Sequence, residues 1–90
     1  MIWIEGRLVC ATSEEAETVR AHLAEHIRLS RAEPGCLSFE VAPSDDPLIW
    51  TVRESFVDRA AFDRHVSRTR QSEWGQATAG IRRDFAEKDA

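Results

Sequence analysis

The run ESFVDRAAFDRHV, residues 54–66, carries a histidine on a helical pattern. Phe62, His65, Val66 and Thr69 recur at i, i+3, i+4 and i+7, one face of a helix, whereas Asp63, Arg64 and Arg68 fall on others. His65 therefore points where the apolar residues point. An imidazole titrates near neutral pH, so an inward-facing one can take a proton from a weakly acidic substrate group. Glu54 shares a strand face with Trp50, Val52 and Phe56, and a carboxylate among apolar neighbours needs a partner. The expected arrangement has Glu54 accepting a hydrogen bond from His65 and fixing its tautomer, with His65 as base. The competing structural use of His65 is core filling, with one satisfied hydrogen bond.

Trp50, Phe56, Phe62 and Trp74 have the size and flatness to wall a cavity for an aromatic ligand, and the same spacing equally suits core packing. HLAEH, residues 22–26, matches the H-x-x-E-H pattern of a zinc peptidase family. Its two histidines flank the apolar stripe Val19, Leu23, Ile27 and have no evident third ligand downstream. Both read as partly solvated helix surface, and no metal is expected. There is no G-x-G-x-x-G, P-loop or clustered Cys/His set.

The elements that would position these groups can be read along the chain. IWIEGRLVC, residues 2–10, reads as a strand. Thr12 with Glu15 forms a capping box ahead of a helix over about residues 13–32. Glu33-Pro34-Gly35 stops that helix. CLSFEV (36–41) and LIWTVRESF (48–56) flank the turn-rich APSDDP and read as a hairpin. Asp58 caps the helix carrying His65, and a further helical stretch holds Trp74, Ala77, Thr78 and Ile81. RRDFAEKD reads as an edge strand or a tail, and the sheet's need for a fourth member favours the strand. This order predicts an α+β fold, a ferredoxin-like antiparallel sheet with helices on one face. Trp3, Val9, Ile49 and Thr51 fall on the opposite face, which leads us to expect a homodimer packed sheet to sheet.

Ninety residues, 42% hydrophobic and 31% charged, make one domain spanning 1–90. A net charge of -4 with no basic cluster beyond Arg82-Arg83 argues against nucleic acid as partner. No run is long and apolar enough for a membrane span, and Glu5 and Arg7 interrupt any signal-peptide core, so the expected location is the cytoplasm. There Cys10 and Cys36 are expected as free thiols. Lys88 is the only lysine among twelve Lys and Arg residues, the usage of a GC-rich bacterial genome.

EPGCLSFEV, the hairpin, the Glu54-x-Phe56-x-Asp58 step and FDRHV together resemble the antibiotic biosynthesis monooxygenase family, over essentially the whole chain. The resemblance implies a dimeric α+β barrel of ferredoxin-like subunits. It also implies monooxygenation of a small aromatic or quinol-like substrate without metal, flavin or other cofactor. It places the family's glutamate and neighbouring aromatic at Glu54 and Phe56, its helical histidine at His65, and Phe39, expected as a further substrate-binding residue, where a tyrosine is usual. The chain has no tyrosine, so no phenol hydroxyl of the protein itself takes part. Haem-degrading relatives use an asparagine, and the chain has none. The alternative is a non-catalytic dimeric module that binds an apolar metabolite in the same cavity; a third reading is a structural dimer with a filled interior.

Overall fold

A computed structural model describes residues 1–89; Ala90, the last residue of the expected domain and of its final segment, lies outside the described residues. The chain runs β1 (Ile2–Val9), α1 (Ser13–Arg31), β2 (Cys36–Pro43), β3 (Ile49–Phe56), α2 (Arg59–Gln71), α3 (Glu73–Ala77) and β4 (Arg82–Asp89). The four strands form one antiparallel sheet in the order β2-β3-β1-β4, the ferredoxin-like arrangement, with the helices against one face.

Capping chemistry sets the helix starts. Thr12 accepts from the Glu15 backbone N–H at 3.1 Å, which satisfies a donor that the first turn would leave orphaned, while the Glu15 carboxylate reaches back past the cap to the Ala11 N–H at 2.6 Å. Asp58 accepts from the Ala61 N–H at 2.8 Å and Ser72 from the Gly75 N–H at 3.0 Å. After α1, Gly35 takes φ +88°, a left-handed turn that a side chain would resist, and its carbonyl receives the Val57 N–H at 2.8 Å. That turn brings Glu33, just past the end of α1, towards α2.

Alternation along the strands sends Ile4, Leu8, Trp50, Val52 and Phe39 to the helix side. Leu8, Cys10, Ala16, Val19, Trp50, Val52, Trp74 and Ile81 make the main core. Cys10 and Cys36 are free thiols. The inward stripe of α1 differs from expectation: it runs through Ala16, Val19, His26 and Ser30, while Ile27 is only half-buried. The last helical stretch is also shorter than the apolar pattern suggests. α3 ends at Ala77, and Thr78 and Ile81 are buried from the turn that follows it.

The segment RRDFAEKD is β4, paired along its length with β1 although every residue in it is exposed. Its side chains carry little burial signal, so backbone ladder bonds hold it. Gly6 lets the strands approach: a Cβ there would lie 2.1 Å from the Asp84 carbonyl oxygen. On the face away from the helices Trp3, Val9 and Ile49 are half-buried. Between them lie the pairs Glu5–Arg53 at 3.6 Å and Arg7–Asp84 at 3.2 Å, so this face is more polar than an alternating apolar pattern implies.

Candidate active site

Between the sheet and α1, α2 and α3 lies a cavity of about 550 Å³. Of the residues singled out from sequence, Glu54, His65, Phe62, Trp74 and Phe39 line it. Trp50 and Phe56 do not. Trp50 belongs to the core around Leu8 and Val52, where strand alternation puts its bulk against α1. Phe56 is fully buried, its ring 5.0 Å from the His65 ring and 5.4 Å from that of Phe62, so it backs the site from behind.

His65 is 5% exposed, and the partner that orients it is Glu33. Its Nδ1 donates to Glu33 Oε1 at 2.9 Å. The second Glu33 oxygen accepts from Arg68 Nε, and Arg68 donates in turn to the buried Ser30 hydroxyl at 2.9 Å. A carboxylate at Nδ1 places the ring proton there, which leaves Nε2 with a free lone pair. Glu54 occupies a different position from the one expected. Its Oε1 stands 3.7 Å from Nε2, beyond hydrogen-bond distance, so it faces the free nitrogen and does not set the tautomer. Thr69 Oγ1 makes a long contact with the same nitrogen at 3.4 Å.

Electrostatics separates the two groups. Burial lowers the affinity of His65 for a second proton, the nearby Arg68 adds to this, and Glu33 opposes it. The Glu54 carboxyl is raised to about 7, chiefly by burial and then by the charge of Glu33, with Arg83 pulling the other way. A neutral imidazole and a carboxyl close to half-protonated thus face each other across 3.7 Å at neutral pH. Such a pair can take a proton from a bound hydroxyl and pass it on.

Two contributors were hidden in the sequence. Glu33 reads as part of the helix-stopping Glu-Pro-Gly turn, and only the tertiary approach of α1 to α2 gives it a partner. His26 reads as helix surface, yet it is 4% exposed and its ring stacks on Trp74 at 4.6 Å with planes 5° apart. The signal was available in the spacing, since residues 16, 19, 23, 26 and 30 continue the stripe better than Ile27 does. His22 is half-buried, and among the described residues no group of three or more His, Cys, Asp or Glu gathers as a metal site.

Residues 1–77 match the family model described as antibiotic biosynthesis monooxygenase. The chain belongs to this family. Solved structures named for the antibiotic biosynthesis monooxygenases superpose over its full length. One from Deinococcus radiodurans is 21% identical, with TM-score 0.79, and is covered over 92% of its own chain. Another, from Nitrosomonas europaea, is 17% identical, with TM-score 0.81 and 98% of its chain covered. A third, from Bacteroides thetaiotaomicron, is 27% identical, with TM-score 0.76 and 86% of its chain covered. None of the curated proteins matches. Among the described residues no helix is long and apolar enough to cross a membrane.

Proposed function

We propose that this family member oxygenates a small, flat, hydroxylated aromatic or quinol-like molecule in the cavity beneath α2, with no cofactor and with His65 as the proton acceptor. One observation carries the reading: the Glu33 carboxylate holds Nδ1 of His65 at 2.9 Å, so Nε2, in long contact with Thr69 Oγ1 at 3.4 Å, keeps its lone pair at a mostly apolar cavity beside Glu54. Phe39, Phe62 and Trp74 supply flat walls. Removing a phenolic proton makes an electron-rich anion that can itself reduce oxygen. One oxygen atom then enters the product, and the other leaves as water with two hydrogens from the substrate. The flat apolar walls would shield the reactive species from part of the bulk water once the substrate fills the half-open site.

A cavity of about 550 Å³ speaks against the reading with a fully packed interior. The cavity alone is equally compatible with a binding module; the oriented imidazole favours chemistry, because a module that only buried an apolar metabolite would have no use for a free, neutral base. We also propose that the working unit is a homodimer joined through the sheet face away from the helices. The test of activity is oxygen uptake with a panel of naphthoquinols and anthrones, after chelation and gel filtration of the protein. Uptake above the uncatalysed rate, lost in His65→Ala, is expected. Tight binding without uptake for every member would leave the binding module standing in its place.

A further inference from the structure

His26 has no place in the proton chemistry above, and packing alone does not explain why a polar ring stands there. It is 4% exposed and lines the cavity. Its Nδ1 is buried with no hydrogen-bond partner among the described residues. Buried polar atoms are rarely left unpaired, and a phenylalanine would stack on Trp74 as well without that cost.

The ring is held firmly. It lies parallel to Trp74 at 4.6 Å and meets Phe39 edge-on at 5.2 Å. Phe39 is also 5.4 Å from the His65 ring, and the two imidazoles are 6.0 Å apart. Phe39 and the two imidazoles therefore form a triangle of rings lining one cavity. A dry Nδ1 is better left as a bare acceptor than as a stranded N–H, which puts the proton on Nε2 and makes that atom the donor.

We propose that His26 is a second ligand-binding residue of this cavity, and that the ligand is an aromatic with two oxygen functions on neighbouring positions of one edge, one met by His65 and the other by His26. The inference rests on the proposed reading of the cavity as a site for hydroxylated aromatics, and it specifies which of them fit. Burial, with the charges of His65, Arg68 and Arg83 adding to it, holds His26 down to about 3, so it is neutral throughout the working range and serves as a donor, not as a base. A neutral donor stabilises an oxyanion without competing for the proton that His65 takes.

The test is anaerobic calorimetry with two probes, a naphthol with a single hydroxyl and a naphthalene bearing two hydroxyls on facing peri carbons. The parent protein should bind the diol about tenfold tighter, the size of one additional hydrogen bond in a dry site. His26→Phe, which can still stack on Trp74, should lose the preference, its affinities for the two probes drawing together. Independently of any variant, the ring nitrogen resonances of His26 in labelled parent protein should move on adding the diol and stay in place with the naphthol. Equal affinities, a preference that survives in His26→Phe, unmoved His26 resonances, or failure of both probes to bind would each overturn the proposal. Oxygen uptake separates it from the wider reading: a His26-dependent preference without uptake sinks oxygenation alone, and uptake without the preference sinks only the role given to His26.

Discussion

Glu33 Oε1 and His65 Nδ1 lie 2.9 Å apart across thirty-two positions of sequence, joining the turn after α1 to the middle of α2. The bond makes core filling and function compatible in one residue: His65 satisfies a half-buried carboxylate with one nitrogen and offers the other to the cavity. Its replacement should therefore cost both stability and rate. His65→Ala is expected to lose roughly 1–3 kcal/mol through the lost hydrogen bond to Glu33, which keeps Arg68, and the space left by the ring, and on the order of 100-fold or more in turnover, read from thermal melts and oxygen uptake.

Glu33→Gln tests orientation apart from proton transfer. The amide can still accept from Nδ1, but the charge that favours the imidazolium is gone, and Glu33 is what opposes the downward push of burial on His65. The acid limb of the pH–rate profile should move to lower pH and the maximal rate should fall roughly tenfold to a hundredfold. An unchanged profile would remove Glu33 from the site.

Glu54 gives a prediction about stability and pH. Its carboxyl is raised from 4.5 to about 7 in the folded protein, so the fold prefers it protonated. That contribution is fully present below pH 4.5 and is lost as pH rises through about 7. Glu54→Gln should thus be more stable than the parent above pH 7, by on the order of 3 kcal/mol at most, and equal to it in acid. Denaturant titrations at three pH values decide it; parallel curves would mean that Glu54 is more solvated than its burial implies.

His26 acts in the opposite direction. Its affinity for a proton falls from 6.5 to about 3 on folding, so its contribution is present above pH 6.5 and is lost as pH falls towards 3. His26→Phe should resist acid unfolding better than the parent. If both unfold at the same acid midpoint, His26 is not the group that limits acid stability.

Local signals carry most of the fold. Thr12 with Glu15, Asp58 and the Glu-Pro-Gly stop set element ends through backbone chemistry that neighbours in sequence decide. β4 was ambiguous because all its side chains are exposed, and what holds it is a backbone ladder to β1. The site was half legible. Periodicity aims His65, Phe62 and Glu54 inward, but which carboxylate meets which nitrogen depends on how α1 and α2 approach, which no spacing encodes. Trp50 and Phe56 were assigned to the cavity because strand alternation gives a face and not a depth.

Gly6 is where that hidden strand can be tested. Any Cβ there would collide with the Asp84 carbonyl oxygen, 2.1 Å away, and with Phe85 Cα at 2.8 Å, both backbone atoms of β4. Since Arg83, Phe85 and Glu87 of β4 line the cavity, Gly6→Ala should loosen one wall as well as the ladder. Faster amide exchange in residues 82–89 with slow exchange kept in β2 and β3 is expected, together with weaker aromatic binding. Uniform exchange across the sheet would mean that β1 and β4 tolerate the methyl group.

The sheet face away from the helices supplies the last prediction. Val9 pairs with Ile49 and Trp3 with Ser55, so half-buried apolar groups sit towards both ends of β1, while Glu5–Arg53 and Arg7–Asp84 lie between. A two-fold axis through this face would bring each apolar end against its counterpart and let the charged groups pair across the interface. Burying several hundred Å² of apolar surface at about 25 cal/mol per Å² is substantial beside the net stability of so small a domain. Light scattering should find a species of twice 10.2 kDa at micromolar concentration, and Trp3→Glu should halve it while leaving the cavity residues untouched. A parent protein that scatters as a single 10.2 kDa chain would end the dimer proposal, because nothing else would then cover Trp3.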